Sequence, residues 1–369
     1  MDNKRLTWAE INLKAVRHNI SSIKERTNAK IMAVVKANAY GHGVEEICRV
    51  CVEEGVTYFG VATLEEALHI REAGFTLPIL VLGYLPEEYA EIAINHDISL
   101  TVFNETLPQA LSKAAVKLGK KAIVHIKVDT GMGRLGFAPQ LETISKIVRI
   151  AKLPGIELEG IYTHFATADS TDKEFSFKQL EYFDYIVTEL EKQGINFKIK
   201  HTANSAAIID IGKAHFDMVR AGIILYGLYP SSEVTDLDII PAMRFKSRIS
   251  YVKTVPAGST IGYGRTYQCK DFTKIATIPI GYADGYSRLL SNKAWGIIKG
   301  QKVPLVGNVC MDQCMFDVSK VKGVQEGDEI ILFGTKEDGI TSDDLADFMG
   351  TINYEVICSI SARVPRIYI

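Results

Sequence analysis

The chain has 369 residues, 47% of them hydrophobic and 23% charged, so it has the composition of a globular protein long enough for two domains. Its net charge of −2 gives no general attraction to nucleic acid or to anionic membranes. Residues 1–20 lack the apolar core of a signal peptide, and no stretch approaches the ~20 apolar residues that span a bilayer. Six cysteines in a chain of this length favour reduced thiols, so we expect a cytoplasmic protein.

One Cys-x-x-Cys pair, Cys48 and Cys51, occurs early in the chain. Together with Val44 and Ile47, the two cysteines follow the i, i+3, i+4, i+7 spacing of one helix face. We therefore expect thiols on the buried face of a helix rather than metal ligands. No second pair completes a zinc site, so no metal site is predicted.

From about residue 30 to residue 230, short apolar runs alternate with amphipathic segments. The apolar runs predict eight strands, at 30–36, 58–62, 78–83, 99–103, 121–129, 158–164, 197–202 and 218–226. Helices are predicted between most of them, the longest at 173–193. Strands that alternate with helices favour parallel pairing through right-handed crossovers. Eight such units predict an α/β fold, a TIM-like (β/α)8 barrel, with a doubly wound open sheet as the alternative.

Beyond residue 230 the pattern becomes one of short strands separated by Gly, Pro, Asn and Asp. Strands are predicted at 245–255, 274–280, 295–299, 303–309, 315–318 and 329–333, with one helix at 342–349. We therefore expect a barrel domain at residues 1–230 and a mainly β domain at residues 231–369. A further strand predicted at 6–11 is a candidate to join the second domain.

Polar residues recur at the predicted carboxyl ends of the barrel strands, where such barrels carry their active sites. A lysine that leaves a buried strand is partly desolvated, which lowers its pKa and suits it to act as a base or a covalent amine. A single residue of this kind is more often an ordinary loop residue, but a converging series favours an active site. The series consists of Lys36, Lys127, Asp129, Arg134, His164, Asn204, Ser205 and Arg220.

Residues 131–136 match the pattern G-x-G-x-x-G. The motif follows the fifth predicted strand rather than an opening βαβ unit, so a dinucleotide site is not favoured. We predict a tight turn that presents Arg134 to the site. A structural ion pair between Arg134 and Asp129 is the alternative.

The loops after strands seven and eight suit a phosphate group. Ser205 lies at a predicted helix start, and Gly222 and Ile223 follow the start of the eighth strand. Loops at these positions commonly bind phosphate through backbone N–H groups. The alternative is an N-cap serine with a tight glycine turn.

The second domain carries four further polar clusters between its predicted strands. They are Gly262-Tyr263-Gly264, the loop around Tyr282, Cys310-Met311-Asp312 and Asn353-Tyr354-Glu355. Glycines around Tyr263 permit a sharp loop that exposes its ring. Each cluster by itself would more often be a turn than a site.

Taken together, these motifs resemble the fold-type III pyridoxal-phosphate enzymes and, among them, the bacterial alanine racemases. The resemblance covers nearly the whole chain, and the order and spacing of the motifs fit. It rests on residues 33–43 (AVVKANAYGHG), 127–134 (KVDTGMGR), 163–166 (THFA), 203–205, 220–222, 262–264, 310–312 and 353–355. It implies the same architecture that the alternation of strands predicts.

The resemblance implies a pyridoxal 5'-phosphate site. Lys36 would hold the cofactor covalently through its amine, and Arg220 would face the ring nitrogen with His201 behind it. His164 would pack near the ring. The phosphate would be bound by Tyr40, Ser205, Tyr354 and the N–H groups of Gly222 and Ile223, with Asn204 also among the cofactor-binding residues.

The resemblance also implies a substrate site shared between two subunits. Arg134 would contact the substrate carboxylate and the cofactor's phenolic oxygen, and Lys127 is a candidate for carbamylation that would orient Arg134. Tyr282 is a further substrate-binding candidate. Tyr263, Met311 and Asp312 would enter from the partner subunit, so a homodimer is expected.

The implied reaction is the interconversion of L- and D-alanine, which supplies D-alanine for peptidoglycan. Racemisation needs a base on each face of Cα, and Lys36 and Tyr263 of the partner subunit would supply them. Arg220 does not readily give up its proton, so it would leave the ring nitrogen unprotonated and limit side reactions.

Three alternatives use parts of the same pattern. The chain could be the catalytic domain of a serine or serine/alanine racemase, cut from a longer membrane-anchored protein, although Tyr354 favours alanine. A decarboxylase of the same fold type is disfavoured by Arg220 and Tyr263. A non-catalytic pyridoxal-phosphate carrier is disfavoured by the second domain, which such carriers lack.

Overall fold

The structure, a computed structural model, describes residues 5–369, which divide into two compact units. The barrel unit consists of residues 17–39 and 44–239. The β unit consists of residues 5–16, 40–43 and 240–369. The domain boundary at residue 230 stays a prediction.

The barrel unit is built on eight parallel strands that follow β1 (Thr7–Ile11) of the β unit. They are β2 (Lys30–Val34), β3 (Tyr58–Val61), β4 (Ile79–Val81), β5 (Ile98–Val102), β6 (Ala122–Lys127), β7 (Ile156–Tyr162), β8 (Ile199–His201) and β9 (Met218–Ala221). Each pairs with its neighbour from β2 to β8, and β9 returns to pair with β2. Backbone bonds from Asp217 to Lys200 and from Arg220 to Ala203 link the last two strands. The (β/α)8 barrel is thus confirmed, and the open-sheet alternative is wrong.

The connecting helices mostly lie where the sequence predicts them. They are Val44–Glu53, Leu64–Glu72, Ala90–Asn95, Thr106–Leu118, Leu141–Ala151, Glu174–Lys192 and Ser205–Asp210, after an opening helix at Leu13–Arg26. Cys48 and Cys51 are buried, as their spacing predicts. Apolar and aromatic side chains from alternating strand positions fill the barrel interior, among them Met32, Leu80, Tyr162 and Met218.

The segment after β2 differs from the prediction. The strand ends at Val34 rather than Lys36, and Ala37, Asn38 and Ala39 form a left-handed turn with φ of 52°, 54° and 53°. Such a conformation costs about 1–2 kcal/mol per non-glycine residue. Two bonds hold the turn: Glu66 Oε1 accepts from the Ala37 N–H (2.6 Å), and Asn38 Oδ1 accepts from the Val44 N–H (2.8 Å). Strain held in place in this way marks the segment around Lys36 as a functional candidate.

The β unit contains three sheets. The largest has the order β16-β15-β18-β10-β1-β19, and the others are β11-β14-β17 and β12-β13. Their strands are β10 (Met243–Arg248), β11 (Tyr251–Val255), β12 (Thr260–Ile261), β13 (Tyr267–Gln268), β14 (Thr273–Ile278), β15 (Trp295–Ile298), β16 (Gln301–Pro304), β17 (Cys314–Asp317), β18 (Glu329–Phe333) and β19 (Arg366–Tyr368). β1 pairs antiparallel with β10 and parallel with β19.

Two strand predictions for this unit are wrong. Residues 245–255 form two strands in different sheets, because the strand is interrupted at Ile249 and Ser250. The N–H groups of these two residues donate to the carbonyl oxygens of Asp328 and Thr277. The strand predicted at 303–309 ends at Pro304, and the next two residues bond elsewhere: the Leu305 N–H donates to Ala294, just before β15, and the Val306 N–H donates to Met315 in β17. The cluster around Tyr354 lies in a helix, Asn353–Cys358, which follows the correctly predicted helix Ser342–Met349.

Candidate functional site

The polar residues predicted at strand ends of the barrel unit lie at or directly beside those ends. Lys36 comes after β2, Lys127 ends β6, His164 follows β7, Ser205 follows β8 and Arg220 lies in β9. Parallel strands in a closed barrel present their carboxyl ends at one rim. The structure therefore brings these side chains to one end of the barrel.

Arg220 is the most extensively bonded of them. Its guanidinium is 3% exposed and donates to the carbonyl oxygens of Thr163 (2.8 Å), Thr202 (2.9 Å) and His201 (2.9 Å). It also lies 3.2 Å from His164 Nδ1 and 3.2 Å from His201 Nδ1. Burial lowers the pKa of Arg220 to about 10, so the group stays charged at neutral pH. These contacts fix both the position and the plane of the cation.

The amine of Lys127 is the second unusual group. Lys127 is buried, and its Nζ lies 4.6 Å from the centre of the Tyr162 ring. Burial, and then the charges of Arg220 and Arg134, lower the pKa of Lys127 to about 7. A substantial fraction of this amine is therefore neutral and nucleophilic near physiological pH.

His164 is neutral for a related reason. Burial, followed by the charges of Arg220 and Lys127, holds the pKa of His164 well below its usual value. A neutral imidazole can accept from the Arg220 guanidinium, which only donates. His164 is thus an uncharged neighbour of a fixed cation.

The loops after β8 and β9 meet at Ser205. Its Oγ accepts a hydrogen bond from the Gly222 N–H (3.0 Å), and Ile223 begins the short 3-10 helix Ile223–Tyr226. Asn204, not Ser205, is the N-cap, since its Oδ1 accepts from the Ala207 N–H (3.1 Å). The alternative that made Ser205 an N-cap is therefore wrong, and its hydroxyl faces the neighbouring loop.

The glycine-rich motif after β6 forms a turn. The Asp129 carboxylate accepts from the N–H groups of Gly131 and Gly133 at 3.0 Å each, and both glycines have positive φ. An added Cβ at Gly136 would lie 2.3 Å from the Asp129 backbone nitrogen, so only glycine fits there. In the described chain Asp129 thus caps its own turn and makes no ion pair with Arg134.

The predicted residues of the β unit lie in three places. Tyr40 is buried with its ring 6.2 Å from that of Tyr354, and burial raises the pKa of Tyr40. Tyr263 stands 72% exposed between Gly262 and Gly264, whose φ angles of 70° and 72° permit its sharp loop. The Tyr263 carbonyl accepts from the Asn308 side chain (2.7 Å), which anchors the loop but not the ring.

Tyr282, Met311 and Asp312 lie on adjoining segments. The Tyr282 N–H donates to the Cys310 carbonyl (3.1 Å), and the ring of Tyr282 and the side chain of Met311 are 44% and 53% exposed. Arg363 donates to the Asp312 carboxylate (2.7 Å) and lies 3.5 Å from the buried carboxylate of Asp284. A charged pair thus holds the Asp312 loop.

Sequence reasoning missed the polar residues inside the barrel, which are Tyr58, Ser99, His125, Glu159 and Tyr162. Tyr162 contacts two groups of the site. Its ring stacks nearly parallel on that of His201, with the ring centres 4.6 Å apart, and it also lies beside the Lys127 amine. The sequence did contain one indication that His125 belongs with the site. His125 lies two residues before Lys127 in the same strand, so the two side chains are on the same face.

Residues 5–369 contain neither a cluster of metal-binding side chains nor a membrane-spanning helix. No group of three or more His, Cys, Asp or Glu side chains is placed to hold a metal ion. No helix within this part of the chain is long and apolar enough to cross a membrane.

The fold and the rim residues define a (β/α)8-barrel enzyme with a mainly β C-terminal domain. The family model described as alanine racemase, N-terminal domain, matches residues 11–230, and that for the C-terminal domain matches residues 242–368. The chain belongs to the alanine racemase family, as its motifs predict.

Individual relatives match over their full length. Alanine racemase 2 of Caldanaerobacter subterraneus subsp. tengcongensis is 50% identical over 100% of this chain and 96% of its own. The alanine racemase of Desulforamulus reducens is 48% identical over 99% and 100%. The solved structure of the Clostridium difficile 630 alanine racemase has a TM-score of 0.95 at 45% identity and covers 99% of this chain and 96% of its own.

Proposed function

We propose that the chain is a pyridoxal-phosphate-dependent alanine racemase that interconverts L- and D-alanine. The full-length similarity to relatives named alanine racemase carries the proposal. D-alanine made in this way would serve peptidoglycan synthesis. The free cysteines of the described chain agree with an enzyme of the reducing cytoplasm.

The barrel residues fit pyridoxal phosphate by the chemistry of their donors. An amine (Lys36) suits the aldehyde, a buried fixed cation (Arg220) suits the ring nitrogen, and the Ser205 hydroxyl with the Gly222 and Ile223 loop suits the phosphate. When bound, the cofactor withdraws electrons from the substrate and acidifies its Cα proton. Tyr40, Tyr354 and Asn204 are assigned to the same cofactor by the family resemblance.

Arg220 would shape this chemistry by donating a hydrogen bond without giving up its proton. Its three carbonyl acceptors and two imidazole neighbours hold it rigidly, and its pKa of about 10 keeps it charged. A glutamate at this position could share a proton with the ring nitrogen, and an arginine does not. We propose that this difference restrains side reactions such as transamination.

Two residues would move protons at the substrate Cα. Lys36 would act on one face and Tyr263 of the partner subunit on the other, so that one removes a proton and the other returns one. The exposed side chains of Tyr263, Tyr282 and Met311 agree with a surface covered in a homodimer. Arg134 would bind the substrate carboxylate, with Met311 and Asp312 nearby from the partner.

A chiral assay tests the proposed substrate. Protein loaded with pyridoxal phosphate is given L-alanine and L-serine separately, and the D-enantiomer is measured over time. Rapid D-alanine with little D-serine is expected. Equal or faster D-serine would assign the chain to the serine-type enzymes, and no D-product from either would contradict racemase activity.

Lys127 is proposed to carry a carbamate. Its neutral amine would attack the carbon of CO2, forming an N–C bond and releasing one proton, and the resulting anion would face Arg134 and Arg220. Unmodified Lys127 has a lower pKa in the folded chain than in the unfolded chain, so its charged form lowers the free energy of unfolding. This destabilisation is complete below pH ~7 and disappears as the pH rises towards ~10.5. Carbamylation would replace the Lys127 cation, which the charges of Arg220 and Arg134 repel, with an anion that they attract.

We expect a carbamate signal in the carbon NMR spectrum of protein incubated with isotope-labelled bicarbonate. The signal should grow as pH rises from about 6 to about 8.5, since the neutral amine is the reacting form. The Lys127→Met variant should lack the signal, and bicarbonate should raise the thermal unfolding midpoint of the wild type only. No signal at the higher pH would contradict the modification.

A further inference from the structure

A line of polar side chains runs from Arg220 into the interior of the barrel. His201 Nδ1 lies 3.2 Å from the Arg220 guanidinium, and His201 Nε2 lies 2.9 Å from His125 Nδ1. His125 Nε2 lies 3.0 Å from Glu159 Oε2, which also accepts a hydrogen bond from the Tyr58 hydroxyl (2.8 Å). Both imidazoles are fully buried, and the Glu159 side chain at the far end is 20% exposed.

The backbone is shaped to make these contacts. β6 and β7 pair Val124 with Leu158 and His125 with Gly160, so Glu159 is an extra residue at a β-bulge. A bulge redirects a side chain that regular pairing would aim elsewhere. A Cβ added at Gly160 would lie 2.2 Å from His125 Nδ1, so the ring of His125 occupies space that only glycine leaves free.

The donors and acceptors of this line allow one proton arrangement. Arg220 only donates, so His201 Nδ1 accepts and its proton sits on Nε2. That proton points at His125 Nδ1, which must then accept, leaving the His125 proton on Nε2. The carboxylate of Glu159 accepts it. Both imidazoles are neutral in this arrangement, since burial, the largest influence on each, lowers the pKa of His125 and of His201.

We propose that Glu159 is a positioning residue for the racemase reaction. Arg220 favours one proton arrangement from one end of the line, and the Glu159 carboxylate stabilises the same tautomer of His125, and through it that of His201, from the other end. His201 then offers Arg220 the acceptor that holds the guanidinium towards the cofactor's ring nitrogen. Without the Glu159 carboxylate, this arrangement is favoured only by Arg220 and by the more distant Tyr58 hydroxyl, 3.4 Å from His125 Nε2, so the His125 proton can move to Nδ1. His201 would then present its own Nδ1 proton to the donor-only Arg220, and the cation would shift. The inference rests on the proposed function for its link to catalysis, but the tautomers themselves do not.

Two substitutions separate this role from simple packing. Glu159→Leu removes the acceptor. Glu159→Gln keeps it, because an amide oxygen at the Oε2 position accepts from both His125 and Tyr58 while the NH2 group takes the partly exposed Oε1 position. Glu157→Leu is the matched control, since Glu157 lies in the same strand but pairs with Lys198 (2.6 Å) at the surface.

The first readout is nitrogen NMR of histidine-labelled holoenzyme, which distinguishes the tautomers directly. We expect His125 and His201 to be protonated on Nε2 in the wild type, in Glu159→Gln and in Glu157→Leu. In Glu159→Leu we expect the His125 proton on Nδ1, or spread over both nitrogens, and a kcat for alanine about tenfold lower with KM little changed.

An Nδ1 proton on either imidazole of the wild type would overturn the proposal without any substitution, even if Glu159→Leu did not fold. A folded Glu159→Leu variant with wild-type tautomers and kcat would also overturn it. If the wild type showed the expected tautomers but did not racemise alanine, the proposed function would fail while the proton arrangement stood.

Discussion

Replacing Lys36 with alanine is expected to lower the rate of alanine racemisation by at least about 10⁴-fold, because the variant loses both its covalent amine and one of its two bases. Lys36 lies between β2 and the strained left-handed turn that Glu66 and Asn38 hold, so the backbone fixes where its side chain begins. The measurement is the chiral assay on protein saturated with pyridoxal phosphate. Unfolding by denaturant shows whether the variant is folded.

The other end of the same strand offers a control. Lys30 begins β2 and is exposed, so Lys30→Ala should keep wild-type activity. Borohydride treatment should attach the cofactor irreversibly to residue 36 of the wild type and not to the Lys36→Ala protein. A small primary amine such as methylamine should restore part of the activity. Racemisation by Lys36→Ala within tenfold of the wild type would contradict the assignment.

The barrel could be predicted because its signal is repeated. Eight apolar runs separated by amphipathic segments fix the order and direction of the strands, whatever the error at each end. The exact ends of the strands were harder to predict. The sequence Ala37-Asn38-Ala39 does not by itself indicate a left-handed turn, because Glu66, which is distant in sequence, helps to hold that turn. The interruption of the strand at Ile249 and Ser250 could not be predicted for a similar reason, since hydrogen bonds to residues distant in sequence cause it.

The rim of the site could also be predicted, because a strand end is a position in the sequence as well as in space. The line of polar side chains inside the barrel, from Arg220 to Glu159, could not be predicted from the sequence. Glu159 meets His125 only because β7 bulges against β6, and Gly160 is needed beside the imidazole only because that ring is there. Bulges and close approaches of this kind depend on strand pairing, which the sequence of either strand does not contain.

Replacing Tyr263 with phenylalanine is expected to slow racemisation in both directions by about 10²–10⁴-fold, since each direction needs a proton removed from one face of Cα and another added to the opposite face. Lys36 would still act on its own face. In deuterated water, therefore, one enantiomer of alanine should exchange its Cα proton without inverting, and the other should not exchange. Proton NMR and the chiral assay measure the two processes. Tyr251→Phe, an exposed tyrosine in β11, is the control.

Mixing the two variants tests whether the bases come from different subunits. When Lys36→Ala and Tyr263→Phe subunits exchange at random, half of the dimers are hybrids, and each hybrid has one site with both wild-type residues if the site is shared. Activity should then recover to about one quarter of the wild-type value. If both bases belonged to one chain, every site in the mixture would lack one of them and no activity would return. Exchange by both enantiomers in Tyr263→Phe would likewise exclude this tyrosine as the second base.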